Sequence, residues 1–327
     1  MSAGIGFYAF STQERDIHTP AQDFFPDLLR HAQNADGGWG YRPELPSTTE
    51  PTAWSVLALQ AHEESSSKTL ASATGWLQQA QMTAGAWPTG SGKEPGCWVS
   101  ALACLALISL KGPSQNSVIR GASWLSETWP AEGNFLWRLR QQKQAHSVVH
   151  QDHGLRGWGW TPNTASWVEP TAYALILLQN IPTLYRPSRA VKRIQMGEKM
   201  LYDRACPGGG WNAGNPLVYG VPGVPRISPT VWALLALRNY QNHDINVEGA
   251  EWLRQRYQSL RSPASLALAH LCLKVYGRAE NLLETRLGDL YGNNQFLQSI
   301  PAMAWASMAL GGVPCWIESS SQAIEAK

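Results

Sequence analysis

The sequence predicts an all-α fold in which six inner and six outer helices alternate and close into an (α/α)6 toroid. Three observations predict it. A Gly-Trp turn followed by a Glu-Pro or Ser-Pro step recurs along the 327-residue chain. Each step opens a segment that is apolar on nearly all sides, the mark of a buried helix. Between these segments lie more polar amphipathic stretches that suit an outer layer.

The first unit reads Gly37-Gly38-Trp39-Gly40, then Glu50-Pro51-Thr52-Ala53-Trp54 and SVLALQ. The second reads Gly85-Ala86-Trp87-Pro88, then Glu94-Pro95-Gly96-Cys97-Trp98 and VSALACLAL. The third has Gly157-Trp158-Gly159-Trp160 and Glu169-Pro170-Thr171-Ala172-Tyr173; the fourth has Gly209-Gly210-Trp211-Asn212 and Ser228-Pro229-Thr230-Val231-Trp232. Two eroded copies open at Ser262-Pro263-Ala264 and Ile300-Pro301-Ala302. Proline is tolerated in a helix's first turn, where its missing N–H loses nothing. A Glu or Ser before it meets the positive helix end. Outer helices are expected at about 21–34, 69–82, 116–128, 188–204, 245–260 and 278–291, with Trp76, Trp124 and Trp252 at similar places in three of them. Glycines permit positive φ in the turns, and Trp39, Trp87, Trp158 and Trp211 are expected to plug the gaps between helical hairpins. The longest insertion spans about 129–168. The expected organisation is an N-terminal extension at 1–20, a single toroidal domain at 21–315 and a C-terminal tail at 316–327.

Composition narrows the function. Charged residues make up 15% and the net charge is +2, with no basic stripe, so nucleic acid is not an expected partner. The N-terminus lacks a basic stretch followed by a long apolar run, as a secretory signal would have. The longest apolar runs fall short of the ~20 residues that span a bilayer. Low charge leaves peripheral membrane contact open. Five widely spaced cysteines fit reduced thiols and a cytoplasmic setting rather than a disulfide framework. Cys206-Pro-Gly-Gly-Gly-Trp-Asn-Ala-Gly is Gly-rich but ends in no Lys-Ser/Thr and is no phosphate loop. No cofactor is expected, and the sequence does not encode an oligomeric state.

The Asn34-Ala-Asp-Gly-Gly-Trp-Gly40 turn and the Glu-Pro-Thr-Ala-Trp/Tyr helix starts resemble the repeat shared by squalene–hopene cyclases and protein prenyltransferase β subunits. The resemblance covers about 20–315 and is closest to bacterial stand-alone proteins of this repeat family. It implies a terpenoid-cyclase-like toroid with a central cavity for an isoprenoid or lipid. Class II cyclases of this fold carry D-x-D-D-T-A at an inner helix start, with the middle Asp as proton donor. Aligned on Thr52-Ala53 and Thr171-Ala172, that Asp falls on Glu50 and Glu169. The flanking Asp positions hold Thr48 and Pro51 in one copy, Trp167 and Pro170 in the other. The prenyltransferases bind zinc through a D-x-C pair and a distant His. Cys97 stands near that place, Pro95 replaces the Asp, and Ile300-Pro301-Ala302-Met303 supplies no His.

The candidate site therefore comprises Glu50, Glu169 and Glu94 as carboxylates gathered at one end of the ring. Inner helices run the same way, so their N-termini share one mouth. Trp54, Trp98, Tyr173 and Trp232 are expected at one slot in the first turns, lining an aromatic cavity with Trp167 nearby; such walls stabilise a carbocation. His146, His150 and His153 have helical spacing suited to a metal, but an exposed polar loop is the simpler reading and no metal is assigned. Arg138, Arg140, Lys143 and Arg156 form a basic group in the insertion that could dock a diphosphate or simply be solvated. The expected function is a terpene-cyclase-like protein that binds a hydrophobic isoprenoid or lipid. The alternatives are a non-catalytic binding toroid and a metal-dependent transferase.

Overall fold

The computed structural model describes residues 21–318 apart from 63–66, 91–93, 111–114, 134–150 and 280–281. Among these residues twelve α-helices alternate between two layers. The outer helices are α1 (Ala21–His31), α3 (Lys68–Ala80), α5 (Gln115–Glu127), α7 (Ala190–Asp203), α9 (Asp244–Tyr257) and α11 (Leu283–Gly292). The inner helices are α2 (Thr49–Gln60), α4 (Val99–Ser109), α6 (Val168–Asn180), α8 (Ile227–Ala236), α10 (Pro263–Val275) and α12 (Ile300–Leu310). Each inner helix packs on the next, and α12 returns to α2, so the ring closes. The fold is an (α/α)6 toroid.

Burial follows the two layers. Every residue from Pro51 to Leu59 of α2, Val99 to Leu107 of α4 and Pro170 to Leu178 of α6 is buried. In α3 only Leu70, Ala73 and Leu77 are buried, one stripe of an amphipathic helix. No helix among the described residues is long and apolar enough to cross a membrane.

One set of bonds recurs at four turns. The backbone N–H of Trp39, Trp87, Trp158 and Trp211 donates to the hydroxyl of Thr52, Ser100, Thr171 and Thr230 at 2.8–2.9 Å. The indole N–H of the same four tryptophans donates to the carbonyl of Leu29, Leu77, Leu125 and Leu201 at 2.7–2.8 Å. Each plug is thus tied both to its inner helix and to the outer helix before it. A second series links neighbouring units at the mouth: Thr49 N–H to Thr89 O, Trp98 to Trp160, Val168 to Ala213, and Ile300 to Tyr41. The last of these joins the final inner helix to the first turn.

The second unit corrects the expected register. Helix α4 starts at Val99, four residues past Pro95, and Pro95 is exposed. Ser100 bonds the Trp87 N–H across the thirteen-residue separation by which Thr52 bonds Trp39. Ser100 is therefore the counterpart of Thr52, and buried Leu102, not Trp98, stands where Trp54 does. Gly96 permits the approach: a Cβ there would lie 2.2 Å from the Ala86 Cβ.

Candidate functional site

The N-termini of the inner helices form a mouth with two half-buried carboxyl groups, Glu50 on α2 and Glu169 on α6. The Tyr41 phenol donates to Glu50 Oε2. Ser228 Oγ, at the start of α8, donates to Glu169 Oε1 at 2.5 Å. Burial pushes the Glu50 carboxyl above the ordinary range; the Tyr41 and Trp54 donors pull it back, and the Glu169 charge raises it. Burial likewise raises Glu169, against the bond from Ser228. The Glu169 charge thus reaches Glu50 from the neighbouring part of the mouth. Tyr41 also borders an open pocket of about 370 Å³ over the starts of α10 and α12, with Ser262, Phe296, Ser299 and Ala302 in its wall.

Glu94 does not join them. It lies in the exposed segment before α4, where its Oε2 accepts the Gly90 N–H at 2.9 Å. The four-residue offset of α4 removes it from the slot of Glu50 and Glu169. The residue of that slot in the fourth unit is Ser228, and it is Glu169's partner.

Below the carboxyls the aromatic residues meet one another. Trp54 stacks on Trp232 with ring centroids 5.1 Å apart, although α2 and α8 are opposite members of the inner ring. Tyr173 sets its edge to Trp232 at 4.9 Å and stacks on Trp98 at 5.4 Å. Trp305 on α12 and Trp316 from the C-terminal segment reach Trp54 at 5.8 and 6.5 Å. Trp54, Tyr173 and Trp232 are buried, so at this level they fill the axis instead of lining an open lumen. Trp98 reaches the group from the helix end, one turn before the slot expected for it. Trp167 sits at the start of α6, where its N–H donates to Trp158 O at 3.0 Å.

The far end of the ring is closed by the chain itself. Asn180 Nδ2 donates to Trp316 O at 2.8 Å and Arg238 Nε to Glu318 O at 3.1 Å. The site is therefore a one-ended cup whose polar groups are at the helix N-termini.

The other candidates are dispersed. Among the described residues no three His, Cys, Asp or Glu side chains are grouped to hold a metal ion. Cys97 is buried, and burial pushes its thiol to about 11. His146, His150, Arg138, Arg140 and Lys143 lie outside the described residues. The His153 imidazole is held below its ordinary range by burial and then by Arg204. Arg156 lies over the Trp129 ring, as does Arg193, which is sandwiched between Trp129 and Trp158 at 4.2 and 3.9 Å. That sandwich fastens the insertion to α7.

Sequence reasoning missed Tyr41, Ser228 as a partner, and the buried carboxylate Glu132, whose Oε1 accepts the Ser166 N–H at 2.9 Å. Only Ser228 had a signal: it shares the slot of Glu50 and Glu169.

No protein-family model matches the chain, and no curated protein matches it. Solved structures do. The type II terpene cyclase MstE from Scytonema superposes with TM-score 0.59 at 13% identity, over 89% of this chain and 96% of that one. A protein from Actinoplanes gives TM-score 0.57 at 16% identity, over 89% and 97%. A GH8 endo-β-1,4-glucanase from an Achatina fulica gut metagenomic library gives 0.53 at 12%, over 90% and 98%. The chain shares a terpene-cyclase-like toroid fold with these proteins. A glucanase among them means that the fold alone assigns no activity.

Proposed function

We propose that the protein takes an apolar, isoprenoid- or lipid-like ligand at the inner-helix mouth, with Glu50 and Glu169 as its proton-carrying groups. The observation that supports this reading is the pair of carboxyls with raised pKa, each held by a hydroxyl donor, directly above an aromatic cluster. Burial keeps a proton on such a carboxyl closer to neutral pH, the requirement of a general acid. Aromatic faces below it favour a cation formed by protonation. Tyr41 and Ser228 supply the tuning contacts that the flanking Asp residues of the cyclase motif supply elsewhere. The likeness to MstE supports the fold of this reading, and the chemistry rests on the site.

A second reading, a binding toroid without catalysis, is favoured by one observation. Trp54 and Trp232 meet across the axis, so a substrate must displace a ring to reach the centre. One experiment separates the two. Purified protein is extracted and analysed by native mass spectrometry for bound lipid, and polyprene turnover is assayed in wild type, Glu50→Gln and Glu169→Gln. Turnover in wild type that both variants abolish supports the acid reading. Bound ligand with no turnover supports the binding toroid. Turnover unchanged in both variants leaves the carboxyls as helix-start charges.

A further inference from the structure

The chain treats its tryptophans in two ways. The four turn plugs are buried, and each indole N–H has a backbone carbonyl at 2.7–2.8 Å. On the outer layer, Trp76 Nε1 donates to Asp36 Oδ2 at 3.1 Å. The indole N–H groups of Trp232, Trp305 and Trp316 are buried and have no acceptor among the described residues, whereas that of Trp54 is directed to Glu50. All three belong to the cluster on the ring axis, each in ring contact with Trp54. Trp54, Trp232 and Trp316 are 0, 1 and 2% exposed.

A buried donor without an acceptor costs roughly 1–3 kcal/mol, and folded proteins leave few of them. Phenylalanine would fill much of the same space without that cost. Three such donors in one cluster, in a chain that satisfies its plug tryptophans at four turns, point to an acceptor that the described residues do not provide. The unpaired groups are N–H donors, so their complement is an oxygen that accepts. Glu50 and Glu169 lie above it, which disfavours an anion. The two sources of such an oxygen are a ligand group and buried water.

We infer that the axial tryptophans bind a neutral acceptor oxygen (a carbonyl, ether or hydroxyl group) carried by an otherwise apolar ligand. This rests on the proposed reading of the mouth as an apolar-ligand site and specifies its substrate class: an oxygenated molecule rather than a bare hydrocarbon. Trp305 is the half-exposed member of the cluster.

The test uses the full chain and a matched pair of probes, a straight-chain alkane and the methyl ketone of equal length, with binding followed by calorimetry. Wild type should bind the ketone about fivefold or more tightly than the alkane, the worth of one net neutral hydrogen bond. Trp232→Phe and Trp316→Phe keep a ring and lose the N–H. Each should reduce that ratio severalfold; Trp76→Phe should leave the ratio unchanged. Two variants are used so that one that fails to fold does not end the test. Equal affinity for the two probes in wild type means that the N–H groups serve water, and overturns the inference while the apolar site stands. A ratio unchanged by both substitutions overturns it too. If neither probe binds, the reading of the mouth falls and the inference with it.

Discussion

His270 gives the sharpest test of the packing. It lies on inner helix α10, 8% exposed, with its Nδ1 2.9 Å from the Tyr257 hydroxyl of α9. Burial, and then the nearby Lys274 charge, lower its pKa from 6.5 to about 4. The folded protein therefore holds a neutral imidazole where the unfolded chain takes up a proton. As pH falls through 6.5 the unfolded state gains protons first, so stability drops until the folded group titrates near pH 4. With these two values the loss between pH 7 and pH 5 is about 2 kcal/mol. Glu50 and Glu169 act with the opposite sign. Their folded pKa values lie above 4.5, so their contribution is complete below 4.5 and is lost as pH rises through the folded value. The assay is urea unfolding at pH 7 and pH 5 for wild type and His270→Asn, whose amide oxygen can take the Tyr257 hydroxyl. The difference between the two proteins cancels the carboxyl effect. Wild type should lose about 2 kcal/mol more than the variant over this interval. Identical pH dependence in both proteins would refute the buried neutral imidazole.

Five further substitutions probe the frame and the mouth. Thr52→Val removes the oxygen that accepts the Trp39 N–H at 2.9 Å and leaves a buried donor unpaired; denaturant unfolding should show a loss of about 1–3 kcal/mol. Gly85→Ala places a Cβ 2.7 Å from the Arg120 carbonyl oxygen at φ +94°, so a destabilisation of about 2 kcal/mol or more is expected, read as a fall in the thermal midpoint. Glu94→Gln should change stability by no more than about 0.5 kcal/mol, as surface substitutions do. Glu50→Gln and Glu169→Gln should weaken the stability gained on acidification, and a slope equal to that of wild type would count against their burial.

Much of this architecture is legible in the sequence because it is written in local signals. A segment such as VSALACLAL has no polar face to give to water, so it must be an inner helix. TLASATGWLQQA has one apolar stripe and must lie outside. The start of α4 was misread because Glu94-Pro95 copies the letters of Glu50-Pro51. The register is set by a different spacing, the thirteen residues from turn Trp to inner hydroxyl that Trp39–Thr52, Trp87–Ser100 and Trp158–Thr171 share. Counting from the tryptophan instead of the proline would have placed Glu94 outside the site. Tyr41 left no such trace, because it reaches Glu50 in a turn that is held where the ends of the ring meet, through Ile300.

The axial cluster was half legible. The shared slot of Trp54, Tyr173 and Trp232 puts three aromatic rings at one level of the ring, but a slot says nothing of radius. The radius follows from packing. Neighbouring helices lie ~9 Å apart, so six in a closed ring set opposite axes about 18 Å apart. Two backbones of radius ~2.3 Å leave roughly 13 Å between them. Two indoles pointing inward fill that gap, and Trp54 on Trp232 does so. A toroid with small residues at this slot would keep a lumen; this one has placed its largest side chains there, and the Trp232 N–H has no acceptor among the described residues. The closed axis and the unpaired donors have the same origin. Indoles large enough to meet across the ring are surrounded by the apolar sides of inner helices whose backbone carbonyls are already used within the helices. An acceptor for those donors must therefore arrive along the axis, and the C-terminal segment as far as Glu318 lies at the end away from the mouth that holds Glu50 and Glu169.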